Sequence, residues 1–148
     1  MINKFEGEYF FLSNFYPSPI VIKDGEDEFI AKTVEHYFQY MKTPSMEEGI
    51  GILAANTPGE AKRLGRKCHL HKDWEQIKDE VMLTALRKKF TIPELKKKLI
   101  ATGDKELIEG NLWHDCFWGV CHCNKCNHRG KNHLGKLLMQ VREELKNK

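Results

Sequence analysis

The 148-residue chain has no long apolar run, which excludes a membrane protein built from spanning helices. No segment approaches the roughly 18–20 consecutive apolar residues that such a helix requires. The N-terminus, M-I-N-K-F-E-G-E, also lacks the apolar stretch of a secretory signal, so we expect a cytoplasmic protein. Repeats, linkers and low-complexity segments are absent too, and the length suits a single domain over residues 1–148.

A strong excess of charge is also missing, because the formal net charge is only +3. Lysines are concentrated in residues 88–98 and 136–148, where they alternate with apolar residues on predicted helices. That pattern is typical of a solvated helix face, and attraction to phosphate is the alternative. The sequence contains neither a glycine-rich phosphate loop nor a G-x-S-x-G nucleophile elbow.

Cysteine is infrequent, with five residues in the chain, but four of the five lie between Cys116 and Cys126. In a reducing compartment such clustering favours a metal site or free thiols over a disulfide framework. Cys121, Cys123 and Cys126 could supply three ligands of a structural zinc ion, with His128 or Cys116 as the fourth. A second C-x-x-C at zinc-finger spacing is missing, so a surface loop of reduced thiols is the alternative.

Periodicity and capping signals predict about six helices and one β-hairpin. The hairpin strands are predicted at residues 19–23 and 28–32, around Asp24 and Gly25. The second helix would place Met46, Ile50 and Leu53 on its apolar side. Helices are predicted at residues 33–42, 45–55, from 57 onward, 73–90, 91–100 and 132–145. No helix is predicted between residues 103 and 131, and so long a connection is usually functional.

The segment T-V-E-H-Y-F-Q-Y-M-K at residues 33–42 is the most informative part of the sequence. On a helix, Glu35, Gln39 and Lys42 follow i, i+4 and i+7 spacing and line up beside an apolar stripe. Neighbouring aromatic residues would desolvate Glu35 and raise its pKa, as in an acid–base site. The alternative is an amphipathic core helix whose Glu35 reaches solvent.

Three further segments contain polar or charged residues that either belong to a binding site or have an ordinary structural role. Ser13 and Asn14 interrupt an aromatic run, so they either serve their own backbone in a turn or bind a ligand. Lys62 and Arg66 share one face of the third helix, as an anion clamp or as two solvated cations. Asp115 lies among the aromatic residues of the motif W-H-D-C-F-W-G.

The chain resembles the NADAR (NAD- and ADP-ribose-associated), or YbiA-like, family from nearly end to end. The matching motifs, in the expected order, are F-L-S-N-F-Y at residues 11–16, E-H-Y-F-Q-Y-M-K at 35–42, T-P-G-E-A-K-R-L-G-R at 57–66, D-W at 73–74, T-G at 102–103, D-C-F-W-G at 115–119 and N-H-L-G-K-L-L-M-Q-V-R at 132–142. Any one motif is weak, whereas their order along the chain is specific. The cysteine-rich segment at residues 121–126 departs from the simplest family pattern, in which Trp-Gly passes quickly to Gly-x-Asn.

The resemblance implies a compact, predominantly helical α+β fold and cleavage of the N-glycosidic bond between a ribose and a nitrogenous base. Two substrate classes are associated with such proteins. One comprises phosphorylated, ribosylated pyrimidine intermediates of early riboflavin synthesis, and the other is ADP-ribose attached to guanine in nucleic acid. No cofactor is required for this hydrolysis, no membrane partner is expected, and the sequence leaves the oligomeric state open.

Glu35 and Asp115 are the predicted catalytic carboxylates. One would stabilise positive charge at C1′ and activate water, and the other would protonate the departing base. The sequence does not assign the two roles between them. Lys62 is predicted either to capture the ring-opened sugar as a Schiff base or to bind phosphate together with Arg66.

Binding of the sugar and base is assigned to aromatic and amide side chains. Trp118 is predicted to stack on the base, with Phe15 as a second platform. The remaining predicted contacts are hydrogen bonds from Ser13, Asn14, Gln39 and Asn132, and a close approach at Gly135. A non-catalytic module that binds ADP-ribose would use the same pocket, although the two carboxylates favour an enzyme. A purely structural helical protein is the third alternative, and the aromatic-flanked polar clusters argue against it.

Overall fold

Six α-helices, one 3-10 helix and two small β-sheets form the structure, a computed structural model that describes residues 1–148. The α-helices are α1 (Val34–Met41), α2 (Met46–Leu53), α3 (Pro58–Gly65), α4 (Trp74–Lys89), α5 (Pro93–Ala101) and α6 (His133–Lys146). The 3-10 helix is Gly7–Leu12, and the strands are β1 (Ile20–Asp24), β2 (Asp27–Ala31), β3 (Gly110–Asn111) and β4 (Val120–Cys121). This content confirms the helix-rich α+β class. None of the helices is both long and apolar enough to cross a bilayer.

The N-terminal hairpin forms where the sequence predicts it. Strands β1 and β2 are antiparallel, with Ile20 opposite Ala31 and Asp24 opposite Asp27. Gly25 lies in the turn with a φ of 63°, a left-handed conformation that glycine adopts without steric penalty. The turn residues therefore set the register of the pair.

The chain divides into two compact units. The central unit is Asn14–Lys89, and the terminal unit is Met1–Ser13 together with Phe90–Lys148. The prediction of a single domain over residues 1–148 stays a prediction.

Helix α1 is enclosed within the central unit, where it contacts α2, α3, α4 and both strands of the hairpin. Thr33 caps this helix, because its hydroxyl oxygen accepts a hydrogen bond from the His36 amide. Every residue from Val34 to Tyr40 is buried. The polar residues of α1 are therefore covered by its neighbours and do not form a solvated face.

Two expectations about helix faces are wrong. Helix α2 buries Ile52 and Leu53, whereas Met46 and Ile50 from the predicted apolar side remain 43% and 46% exposed. Lys89, expected on a solvated face, is fully buried at the end of α4. In both cases the packing of neighbouring elements decides which side is covered, and sequence periodicity carries only part of that information.

The terminal unit packs α6 against α5. Buried Arg142 on α6 donates hydrogen bonds to the Thr102 hydroxyl at 2.9 Å and to the Lys105 carbonyl at 2.8 Å. No helix forms in residues 103–131, as predicted, but strands β3 and β4 form a parallel pair there. This pair closes the loop that carries Asp115.

Candidate active site

Glu35 and Gln39 form a buried polar pair one turn apart on α1. The Gln39 side-chain amide donates to the Glu35 carboxylate, and the two residues are only 3% and 8% exposed, respectively. A carboxylate removed from water is costly unless it receives hydrogen bonds, so the amide offsets part of that cost. Glu35 therefore does not reach solvent as the alternative interpretation required.

Lys42 adds a cation to the predicted anion clamp of Lys62 and Arg66. Burial lowers the pKa of Lys42, the Glu35 carboxylate opposes that shift, and the charges of Lys62 and Arg66 lower the pKa further. Its ammonium also lies 5.7 Å from the centre of the Phe38 ring. Lys62 is half-buried and Arg66 is exposed. Lys42 therefore interacts with one carboxylate and with two further cations, and a group of cations suits a substrate that carries a phosphate group.

Two buried amide oxygens in the central unit have no hydrogen-bond partner, namely Oε1 of Gln39 and Oδ1 of Asn14. The Asn14 carbonyl accepts from the Glu35 amide at 3.1 Å, and its Nδ2 contacts the Met82 sulfur at 3.6 Å. Because buried polar atoms are normally satisfied, the unused acceptor capacity of these two oxygens calls for a donor such as a ligand hydroxyl. This favours the ligand-binding interpretation of Asn14.

Gly65 lets α3 approach α1 closely beside this pair. A β-carbon at Gly65 would lie 1.9 Å from Oε1 of Gln39, far inside van der Waals contact. Only glycine therefore leaves Gln39 in its observed position.

Phe15 and Ser13 are the other predicted contacts of the N-terminal aromatic segment. Phe15, in the central unit, is 36% exposed, so its ring is accessible for stacking. Ser13 belongs to the terminal unit, where its amide donates to the Phe10 carbonyl at the end of the 3-10 helix.

Asp115 organises a tight turn in the terminal unit. Its Oδ1 accepts hydrogen bonds from the backbone amides of Phe117 and Trp118, at 3.1 and 2.9 Å. Its carbonyl accepts from the Asn111 side-chain amide at 2.9 Å. The residue is half-buried. One carboxylate oxygen is committed to the turn, and Oδ2 carries the remaining capacity for acid–base chemistry.

Trp118 is held by aromatic neighbours. Its ring meets Phe117 edge-on with centroids 4.8 Å apart, and Phe117 stacks on His133 at 4.2 Å and 14°. The Lys131 ammonium lies 5.8 Å from the Phe117 ring centre. Trp118 remains half-buried, so it keeps the surface that the predicted stacking role needs.

Asn132 and Gly135, both predicted to contact substrate, are committed to the fold of the terminal unit. The Asn132 Nδ2 donates to the Leu107 carbonyl at 2.9 Å, and its Oδ1 accepts from the Glu109 amide at 3.0 Å. A β-carbon at Gly135 would lie 2.1 Å from the Leu107 carbonyl oxygen. The Asn132 side chain therefore joins the start of α6 to the preceding backbone, and the close approach of that backbone leaves no room for a side chain at position 135.

One histidine and three cysteines cluster in the loop that contains β4. The members, whose ligand atoms all lie within 4.8 Å of one another, are His114, Cys121, Cys123 and Cys126. His114 thus takes the fourth position, for which the sequence suggested His128 or Cys116. The Nδ1 atom of His128 instead lies 2.6 Å from Nδ1 of His122. Such a set of sulfur and nitrogen atoms could bind a metal ion.

The Cys126 amide donates to the Cys123 sulfur at 3.3 Å. This hydrogen bond is the largest of several, including those with the Cys121 and Cys126 thiols, that together lower the pKa of the Cys123 thiol to about 6. A thiolate is therefore present in the cluster at neutral pH.

Lys42 and Gly65 are site residues that sequence reasoning did not assign. The signal for Lys42 was present, because it continues the helical line of Glu35 and Gln39. Gly65 gave no such signal, because its role depends on a contact with another helix.

Comparison with known proteins gives concordant results. The NADAR domain family model matches residues 2–146. An N-glycosidase of Nostoc punctiforme is 43% identical over 141 residues, covering 91% of this chain and 85% of that protein. The NMR structure of the Escherichia coli protein YbiA has a TM-score of 0.80 at 35% identity and covers 99% of this chain and 88% of that chain. The chloroplastic riboflavin biosynthesis protein PYRR of Zea mays is 37% identical over 147 residues, covering 90% of this chain and 23% of that protein.

Proposed function

The chain belongs to the NADAR family and is an N-glycosidase, a hydrolase of N-glycosyl bonds, and from this premise we propose that it acts on a phosphorylated ribose joined to a nitrogenous base. The observation that carries the proposal is the buried Glu35–Gln39 pair, whose carboxylate interacts with Lys42, a cation that in turn senses the charges of Lys62 and Arg66. A carboxylate suits the electron-deficient sugar carbon, and the cations suit the phosphate. The riboflavin biosynthesis name of the maize relative favours an early, ribosylated pyrimidine intermediate of that pathway.

Hydrolysis breaks the bond between C1′ and the base nitrogen and forms a bond from C1′ to a water oxygen. We assign Glu35 to C1′, where it stabilises developing positive charge and accepts the proton of the attacking water. The unpartnered oxygens of Gln39 and Asn14 support this assignment, because ribose hydroxyls can donate to them. We assign Asp115 to the departing nitrogen, which must receive a proton, and its neighbour Trp118 supports a place beside the base.

Lys62 is assigned to the phosphate, together with Lys42 and Arg66. The clustering of three cations supports this role more directly than attack on C1′, because a Schiff base needs only one amine. Schiff-base formation by Lys62 stays an alternative, and substitution of Lys62 distinguishes it from phosphate binding.

Side chains fill every chemical role in this proposal, so catalysis requires no cofactor. A metal ion in the cysteine-rich loop would accordingly be structural. The proposal includes a cytoplasmic location, where reducing conditions keep the loop thiols available. ADP-ribosylated nucleic acid is the competing substrate.

The decisive experiment presents two substrates to one enzyme preparation: a ribosylaminopyrimidine phosphate and guanine-ADP-ribosylated DNA. Release of free base or sugar from the pyrimidine alone is the expected result. Release from the DNA alone would replace the proposal by an ADP-ribosyl hydrolase. Cleavage of neither substrate by a protein that still binds ADP-ribose would indicate a non-catalytic binding module.

A further inference from the structure

We propose that His114, Cys121, Cys123 and Cys126 form a zinc site that holds the Asp115 loop in place. The proposal is independent of the substrate, because it concerns a metal that the loop would carry for stability. Three thiolates and one imidazole are a ligand set that zinc prefers, in a closed, four-coordinate and therefore structural site.

The distances fit a tetrahedral ion. With Zn–S bonds of about 2.3 Å and Zn–N bonds of about 2.0–2.1 Å, tetrahedral geometry places nitrogen and sulfur ligands about 3.6 Å apart. The Nδ1 atom of His114 lies 3.3 Å from the Cys123 sulfur, 3.4 Å from the Cys126 sulfur and 4.0 Å from the Cys121 sulfur. These values bracket the expected separation, so the ion fits with small side-chain adjustments.

Backbone amides donate hydrogen bonds to two of the cysteine sulfurs. The Cys121 sulfur accepts from the His114 amide at 3.3 Å, and the Cys123 sulfur accepts from the Cys126 amide at 3.3 Å. Such donors neutralise part of the charge of metal-bound thiolates and orient the ligands. The Cys121 amide also donates to the Arg129 carbonyl at 2.9 Å, which closes the loop behind the cluster.

His114 combines an unusual backbone conformation with an imidazole that lies beside the three cysteine sulfurs. Its φ is 68°, a left-handed conformation that histidine adopts infrequently. His114 directly precedes Asp115, and Cys121 ends β4. An ion that joins these two ligands would therefore clamp both sides of the turn that Asp115 forms with Trp118.

Metal content and cobalt spectroscopy of the full chain test the site. We expect one zinc ion per chain after reconstitution under reducing conditions. Cobalt in its place should give the strong visible absorption of a tetrahedral ion together with thiolate-to-metal charge transfer. Cys123→Ser and Cys126→Ser should lose this binding, and Cys68→Ser should retain it, because Cys68 lies outside the cluster.

Two asparagine substitutions separate the ligand assignment from general damage to the loop. His114→Asn and His128→Asn both change a histidine with positive φ, at 68° and 59°, to a residue that tolerates this conformation. His114→Asn should weaken zinc binding at least about tenfold, because it removes a direct ligand. His128→Asn and Cys116→Ser should bind zinc like the wild type.

Three results would overturn the site. The first is a fully reduced wild-type protein that takes up no zinc, and the second is an octahedral cobalt spectrum without charge transfer. The third is loss of binding in His128→Asn or Cys116→Ser while His114→Asn binds normally. A Cys-to-Ser variant that fails to fold leaves the asparagine pair and the cobalt titration of the wild type as independent tests.

Discussion

Glu35 is a carboxylate that the fold keeps almost entirely out of water, in contact with the Gln39 amide. Glu35→Gln preserves the shape of the side chain and removes the negative charge. We expect turnover to fall by about 10²–10⁴-fold, the usual contribution of an acid–base group, while the melting temperature changes little. Single-turnover kinetics and thermal unfolding measure the two effects.

The matched control is Glu47→Gln, an exposed glutamate in the first turn of α2 that should have normal turnover. Unchanged turnover in Glu35→Gln would remove Glu35 from the mechanism. A large loss in both variants would point instead to a general effect of charge.

Lys62 distinguishes phosphate binding from covalent chemistry. Lys62→Arg keeps the positive charge but cannot form an imine, whereas Lys62→Ala removes both properties. If Lys62 binds phosphate, we expect near-normal kcat in the arginine variant and a KM about tenfold higher or more in the alanine variant. The exposed Lys67 on the same segment gives the control, Lys67→Ala.

Borohydride treatment during turnover adds a direct readout for Lys62. Loss of turnover in both variants, together with a covalent sugar adduct trapped on the wild type, would establish the Schiff base and contradict the phosphate role.

At the scale of elements, the contact between α1 and α3 positions the carboxylate. Gly65→Ala would place a methyl group 1.9 Å from the Gln39 amide oxygen and so displace the partner of Glu35. We expect a loss of about 1–3 kcal/mol in unfolding free energy, measured by urea denaturation, and a parallel loss of turnover. Gly51→Ala on α2 meets no atom within 4 Å and should leave stability unchanged or raised by about 0.4–1 kcal/mol. Equal behaviour of the two variants would contradict the close-contact argument.

The helices and the hairpin could be predicted because their signals are local. Thr33 and Thr57 each accept a hydrogen bond from a backbone amide three residues later and so cap α1 and α3, and the spacing of Glu35 and Gln39 placed these two residues side by side on α1. Local signals extend no further than one element, so they predict each helix by itself but not the contacts that α1 makes with its neighbours.

The remainder of the site depends on contacts between distant segments. Asn132 is predicted to bind substrate, but its amide serves the backbone of Leu107 and Glu109, more than twenty residues earlier in the chain. His114 joins the cysteine cluster because β3 and β4 pair in parallel and bend the loop, and a two-residue parallel pair has no sequence signature. Tertiary packing determines these contacts of Asn132 and His114 with distant segments.

At the scale of the whole molecule, Lys89 links stability to pH. The residue is fully buried, and its ammonium lies 5.8 Å from the Tyr16 ring centre. Burial lowers its pKa to about 7, compared with 10.5 for an ordinary lysine. Between these two values the unfolded chain holds a proton that the folded chain has released. The unfolding free energy must therefore rise with pH in this window, and Lys89 adds no pH dependence well below pH 7.

We expect the unfolding free energy of the wild type to increase between pH 7 and pH 9 by about 2 kcal/mol more than that of Lys89→Met. The variant should also be the more stable protein at pH 7, because it no longer buries an ammonium group. Urea denaturation at several pH values measures both effects, and comparison with the variant cancels the titration of all other groups. The neighbouring Lys88 is exposed, so Lys88→Met should keep the wild-type pH dependence. Identical pH profiles for the wild type and Lys89→Met would show that Lys89 is charged in the folded protein at neutral pH and that other groups compensate its burial.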